Sequence, residues 1–135
     1  MISHVRLLHT MLRVRDLDAS LDFYVGKLGM RLLRRQDFPD GQFTLVFVGY
    51  GDEADTAVIE LTQNWDGRDY ALGTAFGHIA IGVADIFASA EDLARQGVKI
   101  LRPAGPLEGG GGETIAFAED PDGYRIELIE REFRG

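Results

Sequence analysis

Cysteine is absent from the 135 residues of this chain, which excludes disulfides, thiolate zinc sites and cysteine nucleophiles at once. Histidine is scarce too, at three residues, so any imidazole chemistry falls to His4, His9 or His78. Apolar runs are short: none approaches the roughly 18 residues that a membrane-crossing helix requires. The opening MISHVRLLHT has no basic segment leading into an apolar one, as a secretory leader would, so a cytoplasmic location is expected. Basic residues are in deficit, 14 against 22 acidic ones. The resulting formal charge of −8 has the wrong sign for a nucleic-acid binder without a local basic patch, and no such patch is visible. The glycine run 109–112 lacks the Gly-Lys-Ser/Thr ending of a phosphate-binding loop and reads instead as a mobile or ligand-covering loop. What remains, 45% hydrophobic and 27% charged, is an ordinary globular composition, and the length suits a single domain over residues 1–135.

The chain then says one thing twice. HTMLRVRDLDASLDFYVGKLGMRLLR, from His9, aligns with HIAIGVADIFASAEDLARQGVKILR, from His78. Each copy reads strand, Asp-started helix, Gly, strand. Each closes on a matching strand: AVIELT puts Glu60 51 residues after His9, and YRIELIE puts Glu127 49 residues after His78. The expected class is α+β, with two tandem βαβββ units (6–64 and 77–131) joined by a linker at 65–76 and forming a curved mixed sheet around a metal site. In the first unit, strands are expected near 7–14, 30–36, 43–49 and 57–63. Asp16 caps a helix striped by Leu17, Leu21, Val25 and Leu28, and Gly29 stops it. In the second, strands fall near 77–83, 98–102, 113–119 and 124–130. Asp85 starts a helix with Ile86, Ala90, Leu93 and Ala94 on one face, and Gly97 ends it.

Strand alternation places His9, Met11 and Arg13 on one face and Leu8, Thr10, Leu12 and Val14 on the other. Val58, Glu60 and Thr62 share a face in the same way, as do Arg125, Glu127 and Ile129. A carboxylate inside a curved sheet costs several kcal/mol unless it is paired or holds a cation. Two carboxylates with two imidazoles at matched repeat positions therefore point to one metal held by His9, Glu60, His78 and Glu127. His4 has no counterpart in the second half and is given no role. Asp120, Asp122 and Gly123 read as hairpin-turn chemistry, with too few oxygens for calcium. Two nitrogens and two carboxylate oxygens suit a divalent ion of the first transition row with open positions. Such a site binds adjacent substrate oxygens and favours enolisation, with a ligand glutamate that loosens from the metal serving as base. The chemistry is that of an isomerase.

The segments LLHTMLRV, FYVGKLGM, LVFVGYG, AVIELTQNW, GHIAIGV and EDPDGYRIELIE resemble the lactoylglutathione lyase, or glyoxalase I, family of the vicinal oxygen chelate superfamily, over residues 6 to 131. The resemblance implies isomerisation of the methylglyoxal–glutathione hemithioacetal to S-lactoylglutathione through an enediolate, which detoxifies methylglyoxal. It implies His9, Glu60, His78 and Glu127 as metal ligands and Glu127 as the catalytic base, a choice between the two glutamates that the repeat leaves open. It places Arg13, Asn64 and His78 at the substrate. The short chain resembles the bacterial form, which implies nickel, with cobalt or zinc as alternatives, and a homodimer with two sites at the subunit interface. One position departs from the pattern: relatives often carry a basic residue where this chain has Glu108. Lower affinity, replacement by Arg102, or a thiol other than glutathione are the alternatives this leaves. Other readings are an epimerase or thiol transferase of the same superfamily, or a metal-free small-molecule binding protein.

Overall fold

A computed structural model describes residues 1–132. It contains two compact units, the first over Met1–Ala71 and the second beginning at Leu72. This division falls inside the 65–76 stretch read as a linker.

In the first unit β1 (His9–Arg13) leads into helix α1 (Leu17–Leu21), then β2 (Arg31–Phe38), β3 (Phe43–Gly49) and β4 (Val58–Asn64). The strands form one sheet of order β1-β4-β3-β2, with β1 parallel to β4 and the other pairs antiparallel. The second unit repeats the plan with β5 (His78–Val83), α2 (Ile86–Arg95), β6 (Ile100–Pro106), β7 (Thr114–Glu119) and β8 (Arg125–Glu130), in the order β5-β8-β7-β6. A parallel pair needs a crossover, and in each unit the helix and two intervening strands supply it.

The helix starts are built alike. Asp16 and Asp85 are extended, and their carboxylates accept from the amides of Ala19 at 3.2 Å and Ala88 at 3.1 Å. A second tie reaches back from the closing strand: Leu17 donates to Gln63 Oε1 at 2.6 Å, and Ile86 donates to Glu130 Oε2 at 3.2 Å. Each helix start is thus fastened to the strand that carries the glutamate, three residues beyond it. At the other end of α2, Gly97 (φ 86°) closes a double cap. Its amide donates to Ala94 and that of Val98 to Leu93, leaving no orphan carbonyl to either.

The first helix departs from expectation. After five α-helical residues the chain winds as a π-helix over Asp22–Lys27, with Leu28 donating to the carbonyl of Phe23 five residues back. The wider winding turns the apolar face. Leu17, Ser20, Phe23 and Tyr24 are the buried residues, while Leu21, Val25 and Leu28 are only half-buried. In α2, Ile86, Ala90 and Leu93 are buried as expected, but Ala94 is exposed. In the approach to β1 and in the strand itself, Leu8 and Thr10 are exposed too, so Leu12 and Val14 alone bring that face into the core. The core of the first unit is completed by Val46, Val48 and Leu61, and that of the second by Ala116, Ala118, Ile126 and Leu128. These residues stand on the sheet face opposite the histidines and glutamates, so burying them leaves the polar face available for chemistry.

The Asp120 turn behaves as its composition suggests. Its carboxylate accepts from the amides of Asp122 at 2.9 Å and Tyr124 at 2.8 Å, and Gly123 adopts φ 93°. The glycine run forms turns closed by a bond from the Leu107 amide to the Glu113 carbonyl at 2.9 Å.

Candidate functional site

In each unit the parallel pair of strands brings one histidine against one glutamate. His9 is in register with Val58, and Glu60 lies two residues further along the same face. His78 is in register with Arg125, and Glu127 again lies two residues on. His9 Nε2 stands 2.9 Å from Glu60 Oε2, and His78 Nε2 stands 3.1 Å from Glu127 Oε1. The glutamate side chains are 15% and 13% exposed, the histidines 38% and 43%. Carboxylates this withdrawn, each facing an imidazole nitrogen, form the donor set a borderline divalent ion takes. Among the described residues no cluster of three or more metal-binding side chains occurs. One unit therefore provides two donors, fewer than the four or more that a first-row ion requires.

The surroundings of the two pairs differ. In the first unit the Thr62 hydroxyl donates to Glu60 Oε1 at 3.2 Å, a second hold on that carboxylate. The equivalent residue in the second unit is Ile129, which has no donor to offer. Both histidines meet a phenylalanine ring edge-on at 5.4 Å, His9 against Phe47 and His78 against Phe117. Behind Phe47 lies Arg34, its guanidinium 3.9 Å from the ring centroid and its Nε donating to Glu53 at 2.9 Å. That bond to Glu53 is the main reason the Arg34 pKa is raised, with a smaller contribution from Glu60.

Arg102 occupies the position equivalent to Arg34, opposite Phe117, but does something else. Its guanidinium donates to the carbonyls of Ile115 at 3.0 Å and Pro106 at 2.8 Å, with longer bonds to Pro103 and Gly105. The register of β6 shifts twice in this stretch, and Pro103 and Pro106 cannot donate to a ladder, so carbonyls are left that need a partner. Arg102 provides it. For Arg102 to replace the basic residue missing at Glu108, it would have to give up these bonds to its own hairpin.

Along the β1/β4 edge of the first unit a cavity of about 570 Å³ is lined by Arg13, Glu60 and Asn64 together with Thr62, Arg68 and Tyr70. It thus joins Glu60 to both first-unit residues expected at the substrate. Asn64 Nδ2 donates to the Tyr70 hydroxyl at 2.8 Å, and Trp65 Nε1 to the Thr44 hydroxyl at 2.9 Å. Arg68 is held by Asp66, with Nε donating to Oδ2 at 2.6 Å, and this bond lowers the Asp66 pKa and raises that of Arg68. Arg68 and Tyr70 were not singled out from the sequence. Both follow Asn64 closely in NWDGRDY, and the polar and aromatic make-up of that segment was the available signal. His4 is exposed, with a φ of 58°.

Comparison with known proteins follows this geometry. Residues 6–128 match the Glyoxalase/Bleomycin resistance protein/Dioxygenase superfamily. The lactoylglutathione lyase of Neisseria meningitidis serogroup B is 58% identical over 127 residues, 94% of this chain and 91% of the relative. That of Escherichia coli O157:H7 is 53% identical over 131 residues, 97% and 96% respectively. Among solved structures, glyoxalase I from Zea mays superposes with a TM-score of 0.90 at 45% identity, covering 95% of this chain and 45% of the maize chain. This chain thus spans less than half the length of the maize enzyme. The trypanothione-dependent glyoxalase I of Leishmania major superposes at 0.84 with 45% identity, covering 93% of this chain and 86% of that one. By its repeated units, its sequence and its structure, the chain belongs to the lactoylglutathione lyase, or glyoxalase I, family of this superfamily.

Proposed function

We propose that this protein is a metal-dependent lactoylglutathione lyase that converts the hemithioacetal of methylglyoxal and glutathione into S-lactoylglutathione. The observation that carries the reading is the pair of matched His–Glu contacts, at 2.9 and 3.1 Å, on withdrawn carboxylates. His9, Glu60, His78 and Glu127 are the ligands, and nickel is the favoured ion, with cobalt or zinc as alternatives. Each unit presents two donors, so one site needs two units, and likeness to the glyoxalase I family supports a homodimer in which the first-unit pair of one copy meets the second-unit pair of the other. When bound, the ion supplies a Lewis acid that stabilises negative charge on the substrate's oxygens.

The chain's own residues do the rest. Glu127 takes the proton from the carbon that bears sulfur; that C–H bond breaks, the same carboxyl returns the proton to the adjacent carbon, and the hydroxyl proton passes from the oxygen of the sulfur-bearing carbon to that of its neighbour, leaving a thioester carbonyl and a new alcohol. The choice of Glu127 over Glu60 is supported by their neighbours. Glu60 is held by both His9 and the Thr62 hydroxyl, whereas Glu127 has only His78 beside it among the described residues. A base must leave its resting contacts to reach the substrate, and Glu127 has fewer to leave. Arg13 offers a guanidinium fork and Asn64 an amide to the glutathione part, both from the cavity that Glu60 also lines. A cytoplasmic location, where glutathione is abundant, fits this role.

The test is to strip the protein and reload it with nickel, cobalt and zinc in turn, following thioester formation from methylglyoxal plus glutathione. Turnover that depends on the ion, and is highest with nickel, is expected. No turnover with any of the three would reject the reading.

A further inference from the structure

The second unit holds a cavity of about 380 Å³ whose lining includes Gly73, Thr74, Phe76, Gly77, Gly123 and Arg125. Among the described residues Arg125 is the only charged one lining it. Among the described residues of this unit the other basic side chains are committed. Arg95 faces Glu91 and Asp92, Lys99 faces Glu119, Arg131 binds Glu113, and Arg102 caps carbonyls. Glu119 is the direct cross-strand neighbour of Arg125, yet its carboxylate lies 3.8 Å from Lys99, and no carboxylate among the described residues pairs with Arg125. In a chain of net charge −8, an exposed cation that lines a cavity and faces no carboxylate among the described residues is a ready receptor for an anion.

Its placement relates it to the reacting pair. Arg125 is in register with His78 across the parallel strands and shares a face with Glu127 two residues on. Its equivalent in the first unit, in register with His9, is Val58, which is buried in the core. The repeat therefore does not demand a cation here; the second unit alone has one. The walls suit a small flat group. A Cβ built on Gly73 or Gly77 meets nothing within 4 Å, so this part of the lining is bare backbone beside open space. Phe76, set edge-on to Tyr124 at 5.5 Å, gives a fixed apolar side. Thr74 adds a hydroxyl.

We propose that this cavity is a carboxylate pocket in which Arg125, with Thr74 beside it, receives the glycyl carboxylate of the thiol half of the substrate. The inference rests on the reading above and deepens it, since it names a specificity-determining residue in place of the basic side chain missing at Glu108. An arginine fork matches a carboxylate in two parallel bonds, and no other basic side chain among the described residues lines this cavity.

The experiment measures binding of S-methylglutathione and of its glycyl ethyl ester to the nickel-loaded protein by calorimetry, for the native chain, Arg125→Met and Arg125→Lys. Arg125→Met is expected to weaken S-methylglutathione about tenfold. The same change should leave the ester's affinity as it was, and Arg125→Lys should recover most of the loss. With the hemithioacetal as substrate, Arg125→Met should raise KM while kcat stays within about twofold. Equal losses for acid and ester, or no loss for either, would overturn the pocket, as would a native protein that binds neither. A native protein that binds S-methylglutathione in an Arg125-dependent way but forms no S-lactoylglutathione would instead reject the catalytic reading and leave the pocket standing.

Discussion

The first and second units carry the same His–Glu pair on the same parallel strands, yet they surround it differently. In the first, Glu60 is held twice, and Arg34 lies over the phenylalanine that meets His9. In the second, Glu127 is held once, and Arg102 has withdrawn from the corresponding ring to satisfy carbonyls of a bulged, proline-containing strand. The cations also sit at opposite ends. Arg13 lies beyond His9 towards the end of β1, while Arg125 stands at the start of β8, opposite His78. Duplication fixes where donor atoms go; the divergence around them decides which half restrains its carboxylate and which leaves it able to move.

The largest effect should come from exchanging one glutamate for its amide. Glu127→Gln is expected to lower kcat by about a thousandfold, within the range for loss of a positioned general base, while keeping much of the nickel. Glu60→Gln is expected to show its main defect in nickel content. Elemental analysis alongside steady-state rates separates the two, and a Glu127→Gln protein at the native rate would break the distinction between the halves. Next in size is Arg102→Met. It leaves carbonyls of Pro106 and Ile115 without their donor, and about 2 kcal/mol of unfolding free energy should be lost in urea titrations, with nickel affinity unchanged. Arg34→Met should do the reverse: a small stability loss, but nickel affinity several-fold lower because the Phe47 ring that meets His9 loses its backing. Matching phenotypes for the two arginines would show that their different contacts do not matter.

Two smaller effects sharpen the picture. Arg13→Ala should raise KM about tenfold through lost carboxylate binding, with kcat little changed. An unchanged KM would make Arg13 a bystander. In the second unit the Arg131 guanidinium, donating to Glu113 at 2.5 and 2.9 Å, holds that carboxyl below the usual glutamate range. A depressed carboxyl contributes stability above its unfolded value and loses it as pH falls through the folded one, so the effect belongs to the acid end. Observing the Glu113 carboxyl by NMR, Arg131→Gln should move its titration up to the ordinary range. No movement would refute the pairing.

Much of this architecture is legible in the residues because local chemistry and repeat agree. Asp16 and Asp85 cap helices because their carboxylates reach an amide three residues on, and Gly97 ends α2 because its positive φ suits a residue without a Cβ. The His–Glu juxtaposition was also readable, since a period of two puts these residues on one face and the repeat says which strands pair. Other features depend on contacts that spacing does not encode. The π-helical Asp22–Lys27 segment has unremarkable composition, and its winding buries Phe23 and Tyr24 where α-periodicity selected Leu21, Val25 and Leu28. Arg34 and Arg102 occupy one repeat position, and their different fates go with a second register shift in β6, between Arg102 and Gly105 where Pro103 stands, that β2 lacks. Arg68 and Tyr70 reach the first cavity from a loop, where no periodicity directs side chains.

The central claim, that a first-unit pair from one copy and a second-unit pair from another grip one ion, is tested most directly by mixing two inactive proteins. One carries His9→Ala with Glu60→Gln, the other His78→Ala with Glu127→Gln, and each alone should bind no nickel at the site and turn nothing over. After joint unfolding and refolding, random pairing makes about half of the dimers mixed, each with one intact site. Nickel binding and activity should therefore return to about a quarter of the native level. Mixtures as inactive as their parents, with mixed dimers demonstrably formed, would contradict the account.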